Sequence, residues 1–142
     1  MEDKVIIIRR SYKDLKENNL LDGVNDPYGV LDSFTEEEKE ALLDKPTGYD
    51  ESEVAIIMAA YQGNFIGCFH NFTTRFLIEG EIYLAQTGSE FFTLEQFRNL
   101  NAGASIYFDA TRLLKTGYCL AIGISQMAMG LYPPLKFNMF FY

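Results

Sequence analysis

Two short turn signals constrain this chain more than any other feature. Gln62-Gly63-Asn64 and Glu79-Gly80 separate three stretches whose residues suit strands. Glu53 to Tyr61 is the first of these. Phe65 to Phe72 pairs back on it as a hairpin, with Thr73 to Leu77 extending the second strand. Glu81 to Thr93 reads as one long strand interrupted at Thr87-Gly88. A glycine in each turn lets the backbone reverse at positive φ, so consecutive strands lie antiparallel with no crossover. A glycine inside a strand marks either a bulge or a close backbone approach, so Gly88 is the predicted irregularity.

The flanking segments supply helices and further strands. Val5 to Ile8 is a continuous β-branched run and reads as a buried strand. Ser11, with Asp14 three residues on, forms a capping-box pattern ahead of a short helix from about Tyr12 to Leu20. Asp22 to Asp32 is rich in Gly, Asn, Asp and Pro and reads as a loop. Thr35 caps a second helix, with Glu38 at the third position, and that helix ends near Asp44. After a polar turn at Arg98 to Asn101, Ile106, Ala110, Leu113 and Leu114 fall on one face of a helix that Thr116-Gly117 closes. Tyr118 to Ile122 is a buried strand. Ser125 caps a short helix through Leu131, stopped by Pro133-Pro134, and Phe137 to Phe141 is the last strand. The order β-α-α-β-β-β-α-β-α-β predicts an α+β fold: a mixed, mostly antiparallel central sheet with helices on both faces, formed by residues 1–142 as one domain.

Composition narrows the function. The chain has 142 residues, is 48% hydrophobic, and carries a formal net charge of -8 with only 12 Lys and Arg. That balance leaves no basic stripe for a nucleic-acid backbone, so no nucleic acid is expected. No apolar run approaches the roughly 20 residues needed to cross a bilayer, so no membrane is expected either. The start, Met1-Glu2-Asp3-Lys4, lacks the shape of a signal peptide. Cys68 and Cys119 lie in apolar runs, the pattern of buried reduced thiols, which predicts a cytoplasmic protein, although nothing in the sequence forbids a disulfide between them. One His and two distant Cys give no metal-ligand spacing, and neither a phosphate-loop motif nor a nucleophile elbow occurs.

Three motifs, Tyr61 to Gly67, Phe97 to Ala104, and Ala128 with Tyr132 and Phe137, together with the element order from Val5 to Tyr142, resemble the GCN5-related N-acetyltransferase superfamily. The hairpin Tyr61-Gln62-Gly63-Asn64-Phe65-Ile66-Gly67 is similar to that family's common second-to-third strand turn. Phe97-Arg98-Asn99-Leu100-Asn101-Ala102-Gly103-Ala104 resembles its pyrophosphate loop, Arg/Gln-x-x-Gly-x-Gly/Ala. Asn101 stands where the family has glycine, and asparagine is the next-best residue for a left-handed backbone. Ala128, Tyr132 and Phe137 match the end of the family's fourth helix, with Lys136 where glycine is usual.

The resemblance implies an acetyl-coenzyme A site. Arg98, Asn99, Asn101, Ala102, Gly103 and Ala104 would meet the pyrophosphate, since a helix start offers free N–H groups and the positive end of its dipole. Thr87-Gly88 would be the bulge that parts the fourth and fifth strands, and the backbones of Phe92 and Thr93 would bond the pantetheine. Tyr132 would protonate the leaving thiolate. Glu90 is the candidate base, with Glu81 at the other end of its strand as the alternative. His70 reads as structural or substrate-lining. The acceptor cleft is expected between the first two helices and the third-to-fourth-strand turn, where Asp22, Asp26 and Asp32 suit a cationic amine.

The implied function is acyl transfer from coenzyme A to a primary amine by direct attack, without a metal. The alternative is a binding or structural module that keeps the fold but has lost the chemistry, which the replacements at Asn101 and Lys136 favour. The resemblance makes Phe137 to Tyr142 the sixth strand and leaves the usual seventh missing, which predicts a homodimer or partner contact through this terminus.

Overall fold

The computed structural model describes residues 4–44, 50–113, 119–120 and 130. Strands β1 (Val5–Ser11), β2 (Val54–Tyr61), β3 (Asn64–Ile78), β4 (Glu81–Thr93) and β5 (Cys119–Leu120) form one sheet in the order β1-β2-β3-β4-β5. The first four are antiparallel neighbours, and β5 runs parallel to β4. Helix α1 (Tyr12–Glu17) and helix α2 (Glu36–Leu43) lie between β1 and β2, and α3 (Ala102–Thr111) follows β4. The expected α+β fold with a mixed, mostly antiparallel sheet is therefore present through β5. The predicted fourth helix, the last strand, Tyr132, Lys136 and the helix end at Thr116-Gly117 lie outside the described residues.

Local chemistry sets most boundaries. Gln62 and Gly63 have φ of 51° and 77°, and Glu79 and Gly80 have φ of 51° and 87°. Positive φ at both central residues matches the right-handed twist of a two-residue hairpin, so both turns form where the glycines stand. The Ser11/Asp14 and Thr35/Glu38 capping boxes are both complete. Helix α1 stops at Glu17 rather than Leu20, because Asn18 leaves the helix in an extended conformation at φ -131°. Leu20 instead packs from the loop onto the core.

Strand alternation divides the interior into two cores. Ile56, Met58 and Ala60 enter one, with Tyr12 and Leu15 of α1 and Val24 and Val30 of the following loop. Ile57 and Ala59 enter the other, with Ala102, Ile106, Tyr107 and Ala110 of α3. Helices thus cover both faces. β1 departs from the expected buried strand: among the described strands it stands at the edge, and Ile6 is half exposed. A β-branched run signals a strand without telling an edge from a centre. Arg9 on this edge makes a two-pronged ion pair with Asp109 of α3, each bond 2.7 Å, and ties the helix to the sheet. No helix among the described residues is long and apolar enough to cross a membrane.

Candidate functional site

The irregularity predicted at Thr87-Gly88 lies a little farther along β4. Gly88 and Thr87 pair regularly with Asn71 and Phe72. The shift comes between the pairs His70↔Ser89 and Cys68↔Phe92, so Glu90 and Phe91 together oppose Phe69, one extra residue on β4. Gly88 serves the other purpose of a strand glycine, close approach. A Cβ there would stand 2.9 Å from Cε1 of Phe69, and closer still to Cζ and Cε2. The ring of Phe69 therefore lies over the Gly88 backbone. It meets Phe91 at 5.8 Å and Tyr107 at 5.9 Å, both nearly perpendicular, and so joins the bulge to α3.

Gly67 brings β3 equally close to the end of β4. A Cβ at Gly67 would lie 2.6 Å from the Phe92 carbonyl oxygen and 3.2 Å from Thr93 Oγ1. The Phe92 carbonyl therefore faces β3, and Leu94 N donates to Ile66 O on the same side at 2.8 Å. Alternation turns the backbone groups of Thr93 to the opposite edge, toward β5. Among the described residues that edge of β4 is bonded only at Gln86 and Thr87. Of the two expected pantetheine contacts, Thr93 is on the open edge and Phe92 is not. The Phe92 ring instead sits with Phe65 at 6.1 Å and Phe34 at 6.4 Å.

After Thr93 the chain forms a 3-10 helix, Glu95–Leu100, and enters α3 through Asn101. Asn101 has φ 56° and ψ 23°, the left-handed conformation expected of it, and its side chain makes no capping bond. Asn101 O accepts from Ser105 N at 3.0 Å. Among the described residues no bond is made to the amides of Ala102, Gly103 and Ala104, three donors at the positive end of a ten-residue helix. Arg98, Asn99, Asn101 and Ala104 are exposed around them, whereas the Ala102 side chain is fully buried and can offer only its backbone. A Cβ on Gly103 would lie 3.1 Å from Thr93 Oγ1, so glycine lets the helix start approach the end of β4. Thr93 Oγ1 is itself buried, with no hydrogen-bond partner among the described residues.

The remaining candidates separate from this cluster. Glu90 stands in the bulge by its backbone, and its side chain lies outside what is described. Glu81 is exposed beside the β3–β4 turn, eight residues back along β4 from Ser89. His70 is buried, and burial pushes its pKa down to about 4, so it is neutral at physiological pH.

The loop after α1 is fastened to the β2–β3 turn: Asn25 N donates to Gly63 O at 2.9 Å, and Asn25 O accepts from Phe65 N at 2.8 Å. The β3–β4 turn stands at the other end of the 15-residue β3, so this loop does not meet it, contrary to the expected cleft. Asp26 is also committed, since its two carboxylate oxygens accept from Val30 N at 3.0 Å and Leu31 N at 2.9 Å. Asp22 and Asp32 are exposed. Tyr28 of the loop meets Phe97 at 5.4 Å, and Tyr61 meets it at 5.9 Å, which brings the loop over the 3-10 helix. Sequence reasoning had not assigned a role to Phe91, Phe34 or Tyr28, and the only local signal for them is their aromatic character.

No protein-family model matches the chain, and no curated protein matches it. Solved structures do. Glucosamine-6-phosphate N-acetyltransferase from Arabidopsis thaliana is similar at 14% identity and a TM-score of 0.63, over 98% of this chain and 95% of that one. A Trypanosoma brucei acetyltransferase is similar at 13% identity and a TM-score of 0.60, over 98% and 96%. A predicted acetyltransferase with acetyl-CoA from Clostridium acetobutylicum is similar at 11% identity and a TM-score of 0.61, over 96% and 91%. Likeness over nearly the whole length at such low identity is a likeness of architecture. Together with the bulged β4 and the left-handed entry into α3, it shows that the chain has the fold of the GCN5-related N-acetyltransferases.

Proposed function

We propose that this chain transfers an acetyl or other short acyl group from acyl-coenzyme A to a primary amine. The observation that carries this reading is the set of three amides at the start of α3 that no described residue bonds, reached through left-handed Asn101 beside the bulge of β4. The donor set fits a pyrophosphate: it combines oriented N–H groups, the helix dipole, and a glycine that brings the backbone close. Asn101 preserves the turn that a glycine would make, and its side chain does not occupy the amides.

In this reading the amides of Ala102, Gly103 and Ala104 hold the pyrophosphate, with Arg98, Asn99 and Asn101 beside it. The outward backbone of Thr93 bonds the pantetheine as a neighbouring strand would. Bound acetyl-coenzyme A supplies an activated thioester acyl group. Glu90 takes the proton of the attacking amine through water, and Tyr132 returns one to the leaving thiolate. The loop after α1 bounds the acceptor, with Asp22 and Asp32 as its exposed acids and Phe34 as its contact with β4. The buried Cys68 fits a reducing, cytoplasmic setting, and the C-terminal run remains a candidate contact surface.

The test is thiol release from acetyl-coenzyme A with a panel of primary amines. Turnover that falls in Tyr132→Phe, with cofactor binding retained, is the expected result. Binding with no turnover on any amine supports the degenerate binding or structural module instead, and no binding overturns acyl transfer.

A further inference from the structure

The far half of the β3–β4 hairpin stands outside the body of the sheet. β2 pairs with β3 only as far as Ile56↔His70, and Asn71 Nδ2 caps the last step by donating to Val54 O at 3.2 Å. From Phe72 to Ile78, β3 bonds only β4 among the described residues. This ribbon carries the most exposed large apolar side chains of the described residues: Leu77 is 73% exposed and its cross-strand partner Ile82 is 68% exposed, with Ile78 next to them at 49%. A two-stranded ribbon is marginally stable alone in water, and beyond the pairing of Gln86 and Thr87 with β5 no described strand bonds either outer edge of this one.

Protein edges are normally blunted by charge, proline, bulges or shortness. β1, at one end of the sheet, carries Arg9 and Arg10 and ends in a register shift. The β3 edge has none of these devices except Arg75. Its register with β4 is unbroken from His70↔Ser89 to Ile78↔Glu81, and it contains no proline.

We propose that this edge pairs antiparallel with the same edge of a second copy, giving a two-fold dimer centred on Leu77. The charges choose the centre. Antiparallel two-fold pairing sets each residue opposite its mirror position about the axis. An axis at Arg75 opposes two arginines, which is unfavourable across a ladder. An axis nearer His70 runs into β2. An axis at Leu77 sets Leu77 against itself and Phe76 against Ile78, and brings Arg75 up to the β3–β4 turn of the second copy, where Glu79 stands, twice by symmetry. Both charged residues are exposed in the single chain. The dimer joins the two ribbons into a four-stranded sheet, with Leu77 and Ile82 of both copies on one continuous face.

Sedimentation velocity from micromolar to millimolar protein tests this. The native chain should dimerise. Arg75→Glu should weaken association about tenfold or more, because both Arg75–Glu79 contacts turn from attractive to repulsive. Adding Glu79→Arg to Arg75→Glu should restore it, and Leu77→Lys should abolish it. These positions are exposed, so circular dichroism should show every variant folded. A native chain that stays monomeric overturns the proposal. So does a dimer indifferent to Arg75→Glu and Leu77→Lys, which would place the contact elsewhere, or a charge exchange that fails to restore association.

Discussion

Replacing Gly88 by alanine tests how β4 is held against α3. The new Cβ would stand 2.9 Å from Cε1 of Phe69 and overlap Cζ and Cε2. Non-bonded carbons settle at about 3.5–4.0 Å, so the ring must retreat by about 1 Å or more. It has little room to do so, because Phe69 is 8% exposed and its ring is set edge-on to Phe91 and Tyr107. Overpacking of this kind costs about 3 kcal/mol at the upper end of its usual range. Alanine restores up to about 1 kcal/mol by restricting the unfolded chain. The net expectation is a loss of about 2 kcal/mol, or roughly 8 °C in Tm for a domain of this size. Thermal and urea unfolding followed by circular dichroism would measure it. In a Phe69→Leu background the smaller side chain can step aside, so Gly88→Ala should then cost less than about 1 kcal/mol. An unchanged Tm in Gly88→Ala, or the same cost in both backgrounds, would show that the ring is not the obstacle.

Two other predictions concern the scaffold. Asp109→Asn removes the two-pronged pair with Arg9 and should lower stability by about 1 kcal/mol, a modest figure because Arg9 is 45% exposed; an unchanged urea midpoint would refute a role for the pair in fixing α3. His70 is held neutral by burial, with its pKa pushed down to about 4 from 6.5. The unfolded chain takes up the proton first as pH falls, so stability should be lost between about pH 6.5 and 4, by up to about 3 kcal/mol. His70→Gln should flatten that part of the urea-midpoint profile, and an identical slope in the variant would contradict the assignment.

Features written in neighbouring residues were legible from the sequence. Gln62-Gly63 and Glu79-Gly80 specify their turns through backbone conformation alone, and Ser11/Asp14 and Thr35/Glu38 specify their caps within one helical turn. The left-handed Asn101 belongs to the same class, and with it the start of α3, the part of the site read most directly. What depends on a distant partner was not legible. Gly88 announces an irregularity, but only the position of Phe69, on another strand, reveals a close approach there and a bulge at Glu90–Phe91. Asp26 looks like a free loop acid until Val30 and Leu31 turn their amides onto it. The cleft is misplaced at the β3–β4 turn because nothing local states that Asn25 fastens the loop after α1 to Gly63 and Phe65, at the opposite end of β3.

Titration calorimetry with acetyl-coenzyme A, compared with acetyl-pantetheine, tests the central claim most directly. The two ligands share the thioester and pantetheine, and only the first has the pyrophosphate. The amides of Ala102, Gly103 and Ala104 predict a micromolar Kd for acetyl-coenzyme A and affinity at least about tenfold weaker for acetyl-pantetheine. Equal affinities, or no heat from acetyl-coenzyme A at millimolar concentration, would contradict a pyrophosphate site at the start of α3.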